Sequence, residues 1–249
     1  TGYRAGDFNL NGEISKTFDF KKGRASWLIT GAMLNRQPSF WYGQWGGNNF
    51  EWHNNISKEF RIDLGTSFLY PARKAAFKFN YTVIKNYTDF DTAAFPSQYS
   101  GGLSVAAVGV RKEMRAWKFH LDADVIIQKS SNIKILELPL VTIRSAGYFE
   151  HLFKFEKTGG RLNTQLGVDV TYNTLYHAYS YMPATGRFFR QDKLTNGDYP
   201  YINVFLNFKL KRTRVFIMFD HINAGTMGYN YDMVPSYPMN IRMFRLGFS

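Results

Sequence analysis

The chain has 249 residues, a net charge of +12 and no cysteine, which bounds it to one large domain and excludes disulfides, thiol chemistry and thiolate metal sites. Aromatic residues make up 18% of it, a density that suits membrane-interface girdles as well as strands. It holds no apolar run of about 18 residues, so a transmembrane helix is excluded and any crossing of a membrane falls to strands.

The first element, from Asp7 to Phe20, alternates. One parity reads Phe8, Leu10, Gly12, Ile14, Lys16, Phe18 and Phe20. The other reads Asp7, Asn9, Asn11, Glu13, Ser15, Thr17 and Asp19, all polar. Successive side chains of an extended strand point to opposite faces, so this strand has one apolar and one polar side. It is longer than the usual globular strand of about 5–6 residues and long enough for the roughly 9–11 residues that cross a bilayer.

Later segments repeat the pattern. "FEWHNNISKEFRIDLGTSFLY" keeps Phe50, Trp52, Ile56, Phe60, Ile62 and Leu64 on one parity, and reads as one long strand protruding beyond the membrane. Phe77, Phe79, Tyr81 and Val83 oppose Lys78, Asn80 and Thr82. Trp117, Phe119, Leu121, Ala123 and Val125 oppose Lys118, His120, Asp122 and Asp124, with Ile126 as an exception. Leu166, Val168 and Val170 oppose Gln165 and Asp169, and Ile202, Val204 and Leu206 oppose Asn203 and Asn207. The period of two predicts eleven strands, at roughly 5–20, 25–35, 48–70, 75–90, 101–111, 116–128, 138–155, 161–176, 200–210, 214–223 and 240–249.

Short polar connections, "KKGR", "PARK", "KEMR", "KTGG" and "KRT", alternate with long irregular ones such as 35–47, 91–100 and 224–239. Sorting of connections by length between the two ends is the habit of outer-membrane barrels; a soluble sandwich has no reason for it. The expected fold is therefore all-β, an antiparallel transmembrane β-barrel. An odd strand number, and a first strand running from the long-loop side, lead to the expectation that this chain is the C-terminal part of a larger, even-numbered barrel. Lipid-facing candidates are Phe8, Leu10, Ile14, Trp117, Phe119, Leu121, Leu166, Val168 and Val170. Lumen-facing candidates are Asp7, Glu13, Asp19, Glu51, Lys78, Lys118, His120, Asp122, Asp124, Gln165 and Asp169.

Fifteen of the 31 Lys and Arg residues lie at or beside the short turns, from Lys21, Lys22 and Arg24 to Lys211, Arg212 and Arg214. Cations so placed either contact lipid phosphates with their stems along the wall or are solvated turn residues that discourage edge pairing. They form no single stripe, and nucleic acid is not expected as a partner.

The ordered segments "NNFEWHNNISKEF" (48–60), "NYTDFDTAAFPSQYSGGLSVAAVGVRKEMRAWKFHLDADVIIQKSS" (86–131), "LGVDVTYNTLYHAYSYMPATGRFF" (166–189), "DYPYINVFLNFKLKRTRVFIMFDHINAG" (198–225) and "YPMNIRMFRLGFS" (237–249) resemble the family of putative porins from Gram-negative outer membranes. The resemblance covers most of the chain. It implies a bacterial outer-membrane barrel made with a cleaved signal peptide, in contact with the lipid bilayer and lipopolysaccharide. Family members are longer at the N-terminus and continue past the "RLGFS" position to a final aromatic. No substrate is implied, because the word porin rests on architecture.

The sequence offers little for catalysis, and neither an enzyme nor a cofactor is expected. Ser57 lies four residues from His53 without an orienting partner, and Asp220 and His221, as strand neighbours, point to opposite faces. His120, Asp122 and Asp124 share a face and read either as cation ligands or as ordinary lumen wall; the wall is the expectation. "SFWYGQWGG" and "GYNYDMVPSY" are aromatic enough to bind protein or sugar, and equally read as loop packing. The leading functional expectation is a porin-like channel for small hydrophilic solutes. The rivals are a plugged transporter, a scaffold subunit that docks other outer-membrane or periplasmic proteins, and a soluble carbohydrate-binding sandwich.

Overall fold

A computed structural model of the chain describes residues 5–156 and 160–248. Eleven strands form one antiparallel sheet in strict chain order. They are β1 (Phe8–Phe20), β2 (Gly23–Arg36), β3 (Glu59–Tyr70), β4 (Ala75–Phe90), β5 (Pro96–Ala116), β6 (Phe119–Ser130), β7 (Val141–Phe155), β8 (Gly160–Asn173), β9 (Tyr201–Leu210), β10 (Thr213–Asp220) and β11 (Met243–Phe248). The sheet is open: β1 and β11 pair only with their chain neighbours. The likeness to a barrel wall lies in this meander of long neighbouring strands, in place of two packed sheets.

The register keeps the apolar residues on one face from edge to edge. Ile14 pairs with Ile29 and Ile29 with Thr66; Thr66 pairs with Phe79, and Phe79 with Val108. The row continues through Ile127 to Val141. Across the second half, Phe149 pairs with Leu166, Leu166 with Leu206, Leu206 with Ile217 and Ile217 with Leu246. No second layer covers this face among the described residues, and its side chains stand open: Leu10 is 63% exposed, Ile14 71% and Leu246 61%. The Trp27 indole N–H finds a partner there, donating to the Thr66 hydroxyl at 2.6 Å, whereas the buried Thr164 hydroxyl on the same face has none among the described residues. At the short-turn end, rings gather on the same face. Phe20 and Tyr70 lie 5.4 Å apart, and Phe119 and Phe149 5.3 Å, with Trp117 beside both of the latter.

Three expected boundaries are corrected. Residues 48–70 are not one strand. Glu51–His53 pairs instead with Gln44–Gly46 in a separate two-stranded hairpin, and the wall strand begins at Glu59. The intervening backbone finds partners in the loops: Asn54 N–H donates to the Gly43 carbonyl, and the Gln98 side chain binds both N–H and carbonyl of Ser57. Glu51 is consequently a loop residue and not part of the wall. The parity of Phe50 and Trp52 reflects burial in an aromatic loop cluster, where Trp52 is stacked with Trp45 and edge-on to Phe90.

The second correction is at "KEMR". β5 runs through it to Ala116, because Arg111, Lys112 and Glu113 keep pairing with Asp124, Ala123 and Asp122. The turn is Trp117–Lys118, with Trp117 at φ 53°. Trp117 and Lys118 are therefore turn residues. The Lys118 ammonium lies over the rings of Trp117 and Phe149, on the apolar side, and is no member of the polar face. Third, the connection expected at 91–100 is only 91–95, since β5 begins at Pro96. The "KTGG" turn falls largely on residues 157–159, outside the described residues.

Candidate functional site

The polar face carries the chemistry. Glu13, Asp19, Lys78, His120, Asp122, Asp124, Gln165 and Asp169 all share it by register, opposite the row that holds Leu10, Ile14, Phe119, Leu121, Leu166, Val168 and Val170. Asp7 precedes β1, and Lys58 from the β2–β3 connection approaches its carboxylate at 2.7 Å.

Charges on the central strands are interleaved. Arg111 of β5 stands opposite Asp124 of β6, which stands opposite Arg144 of β7. Arg111 also reaches Asp122 at 3.1 Å. On β3, Asp63 takes the Arg61 guanidinium at 2.8 Å and the Thr82 hydroxyl at 2.6 Å. Opposite charges directly across an antiparallel pair stabilise it, and water on this face screens what remains.

His120, Asp122 and Asp124 do not converge. His120 stacks on Tyr148 at 4.6 Å and faces Glu150 at 3.3 Å, while Asp122 turns to Arg111. The row is spent on cross-strand partners. Asp220 and His221 also diverge. Asp220 takes Arg245 at 2.6 Å, whereas His221, fully buried, donates from Nδ1 to the Asn240 carbonyl and meets the Tyr199 hydroxyl at Nε2. Tyr201 and Tyr231 box the same imidazole, so His221 pins the connection 221–242 to the start of β9.

Gly167 shows how closely the polar face is built. A Cβ there would lie 2.3 Å from the Phe205 ring and 2.6 Å from Tyr148 Cβ, so only glycine lets these two side chains cover the backbone of β8.

Most of the buried side chains sit in the layer formed by the long connections. A bulge at Asn86 (φ 59°) shifts the β4–β5 register and ends the regular wall, leaving Tyr87–Phe90 paired with Pro96–Tyr99 as a hairpin tip beyond it. The connection between β8 and β9 carries its own hairpin, Ser180–Met182 with Arg187–Phe189, and reaches this tip from four strand positions away. Arg190 N–H donates to the Phe90 carbonyl at 2.9 Å. Arg190 Nε lies 3.2 Å from Asp89 Oδ2, and its Nη1 donates to the Lys134 carbonyl at 2.7 Å. The Tyr179 hydroxyl donates to Asp89 at 3.3 Å and lies 3.4 Å from the Tyr87 hydroxyl. Arg187 stacks over Trp41 at 4.5 Å, tying in the β2–β3 connection.

The lock is nearly dry. Only 5% of the Asp89 side chain is exposed, and burial pushes its carboxyl up to about 6 although Arg190 pulls the other way. Burial raises the phenols of Tyr179 and Tyr42 as well. Periodicity could not have found Asp89, Arg190 or Tyr179, because their proximity is set by the path of a loop.

A family model described as "Putative porin" matches residues 1–249, the whole chain. The chain belongs to this family. No curated protein matches the chain, and no solved structure does. Family membership makes the protein porin-like and ties it in general to the outer membrane. Within this porin-like chain, the alternating sheet forms the wall-like element and the β8–β9 connection packs on the tip of the β4–β5 hairpin.

Proposed function

We propose that the protein forms part of a closed outer-membrane barrel whose polar face lines a water-filled passage for small hydrophilic solutes. The observation that carries this reading is the predominantly apolar face that crosses all eleven strands, broken by few polar side chains such as Lys16 and Lys112 and left uncovered among the described residues, while the opposite face is laddered with charges and amides. An aqueous protein would bury such a face, whereas hydrocarbon is a solvent for it. The open edges at β1 and β11 support membership in a larger wall, since an unpaired strand edge in lipid leaves backbone groups unsatisfied at several kcal/mol each. In this reading the short turns face the periplasm and the long connections face outward.

The β8–β9 connection favours a second reading, a passage that is closed until this cover moves. Conductance separates the two. The full-length protein in a planar bilayer is expected to give stepwise currents in potassium chloride. Silence, with currents appearing once residues 177–192 are deleted, identifies the closed form; silence in both contradicts the passage.

A further inference from the structure

The polar face is not evenly charged. On β3 and on β5–β6, arginines meet carboxylates: Arg61 meets Asp63, and Arg111 meets Asp122. At the short-turn end of β7–β10 this pairing stops. Lys209 stands directly opposite Arg214, and Lys154 directly opposite Arg161. Lys211 follows in the adjoining turn. None of these five cations has a carboxylate within ion-pair distance among the described residues. Of the nearby acids, Glu150 lines the second cleft but is engaged by the Asn163 amide at 2.8 Å and faces His120 at 3.3 Å. Glu156, two residues beyond Lys154 in the turn, makes no ion pair with these cations among the described residues.

Like charges directly opposite on neighbouring strands are unfavourable, so two such pairs side by side call for a compensating anion. The surroundings suit one. Two clefts of about 530 and 520 Å³ flank Lys209 and share Asn163 as a common wall. The deeper of the two rows adds the carboxamides of Gln165 and Asn207, joined at 3.4 Å, as neutral donors and acceptors. Guanidinium forks from Arg161 and Arg214 match the oxygens of a tetrahedral dianion, and the lysines add point charge. Carboxamides next to them suit hydroxyl groups on the remainder of the molecule.

We propose that this basic terrace binds the phosphate group of a small soluble phosphoester and selects such anions at the short-turn mouth. The selection role rests on the reading of the polar face as a water-filled passage; the binding does not. A lipid headgroup carries the same phosphate chemistry. Its acyl chains, however, would have to leave the hydrocarbon side of the wall and enter the face that holds Asn163, Gln165 and Asn207.

The test titrates full-length protein in neutral detergent micelles with inorganic phosphate at low ionic strength, followed by calorimetry. Wild type is expected to bind, and the double substitution Lys209→Gln/Arg214→Gln to weaken binding about tenfold or more, as loss of charge-assisted hydrogen bonds requires. The control Lys21→Gln/Lys22→Gln removes the same charge from another short turn and is expected to leave the affinity unchanged. Equal weakening in both variants, or no binding by wild type, overturns the site. Repeating the titration in nanodiscs separates the sources. Affinity in neutral phosphatidylcholine nanodiscs equal to that in micelles supports a soluble ligand, and loss of affinity in that bilayer shows a lipid phosphate in the site and overturns the solute assignment. Phosphate binding by a protein that carries no current keeps the site and refutes the open passage.

Discussion

Arginine in place of Leu166 or Val168 is expected to destabilise the protein in a bilayer by about 2–4 kcal/mol, the cost of a cation near the membrane midplane of a barrel. Both residues lie in the middle of β8, and Leu166 is held in register between Phe149 and Leu206 with half of its surface open. Arginine at Gln165, one position away, points to the opposite face beside Asn207 and is expected to shift stability by less than about 0.5 kcal/mol, as exposed substitutions usually do. Urea unfolding in liposomes measures all three. The contrast between neighbours matters more than the absolute cost, because propensity and strand position are nearly constant across it. Equal losses at both parities would mean that the two faces of β8 meet the same environment.

The second large effect is expected at the cover. Arg190→Ala leaves the buried Asp89 carboxylate without its cation, and removal of one partner from a buried pair costs about 3–5 kcal/mol. The loss falls on docking of the β8–β9 connection and not on the wall, so amide exchange should quicken at residues 178–192 while β8 and β9 stay protected. It should also depend on pH, with a sign that follows from the direction of the Asp89 shift. Burial raises its folded pKa from the ordinary 3.8 to about 6, so the docked state prefers the protonated acid. Asp89 therefore favours docking fully below about pH 4, and that contribution is lost as pH rises through 6. Burial and the nearby Asp91 act against the charge on Asp89, while Arg190 and the Tyr179 hydroxyl that donates to it act for the charge. The Arg190→Ala defect should accordingly be largest above pH 7 and shrink on acidification. Asp89→Asn, which keeps the shape and removes the charge, should leave the connection docked across the whole range. Rapid exchange in Asp89→Asn would show that the ion pair, and not burial, holds the cover.

The wall was legible because its physics is local. Side chains of a strand alternate, so Leu162 to Tyr172 reveal the orientation of β8 without any tertiary knowledge, and the register then carries the same face to Phe149 and Leu206. The same rule failed at Phe50 and Trp52. Their parity continues that of Phe60 and Ile62, but the force on them is packing among Trp45, Phe90 and Phe95 in a loop cluster. "KEMR" has the composition of a turn, yet cross-strand partners on both sides keep it extended, and the chain reverses at the less polar Trp117–Lys118. The cover lay out of reach for a different reason. Asp89 lies at the tip of β4 and Arg190 in the β8–β9 connection, and nothing periodic links residues brought together by a loop path. The basic terrace lies between these extremes: each cation was visible beside a short turn, but the opposition of Lys209 to Arg214 and Lys154 to Arg161 needed the register.

The chain contains no cysteine, so single cysteines placed one at a time from 162 to 171 on β8 report each position without background. Each variant, reconstituted in liposomes, is exposed to a water-soluble maleimide, and a fluorophore at the same position is tested against a quencher carried on lipid acyl chains. Reaction at 163, 165, 169 and 171 with quenching at 162, 166, 168 and 170 is the predicted result, placing hydrocarbon against one side of the ribbon and water against the other. Water access on both sides, or protection of the even positions without any quenching from lipid, would contradict it.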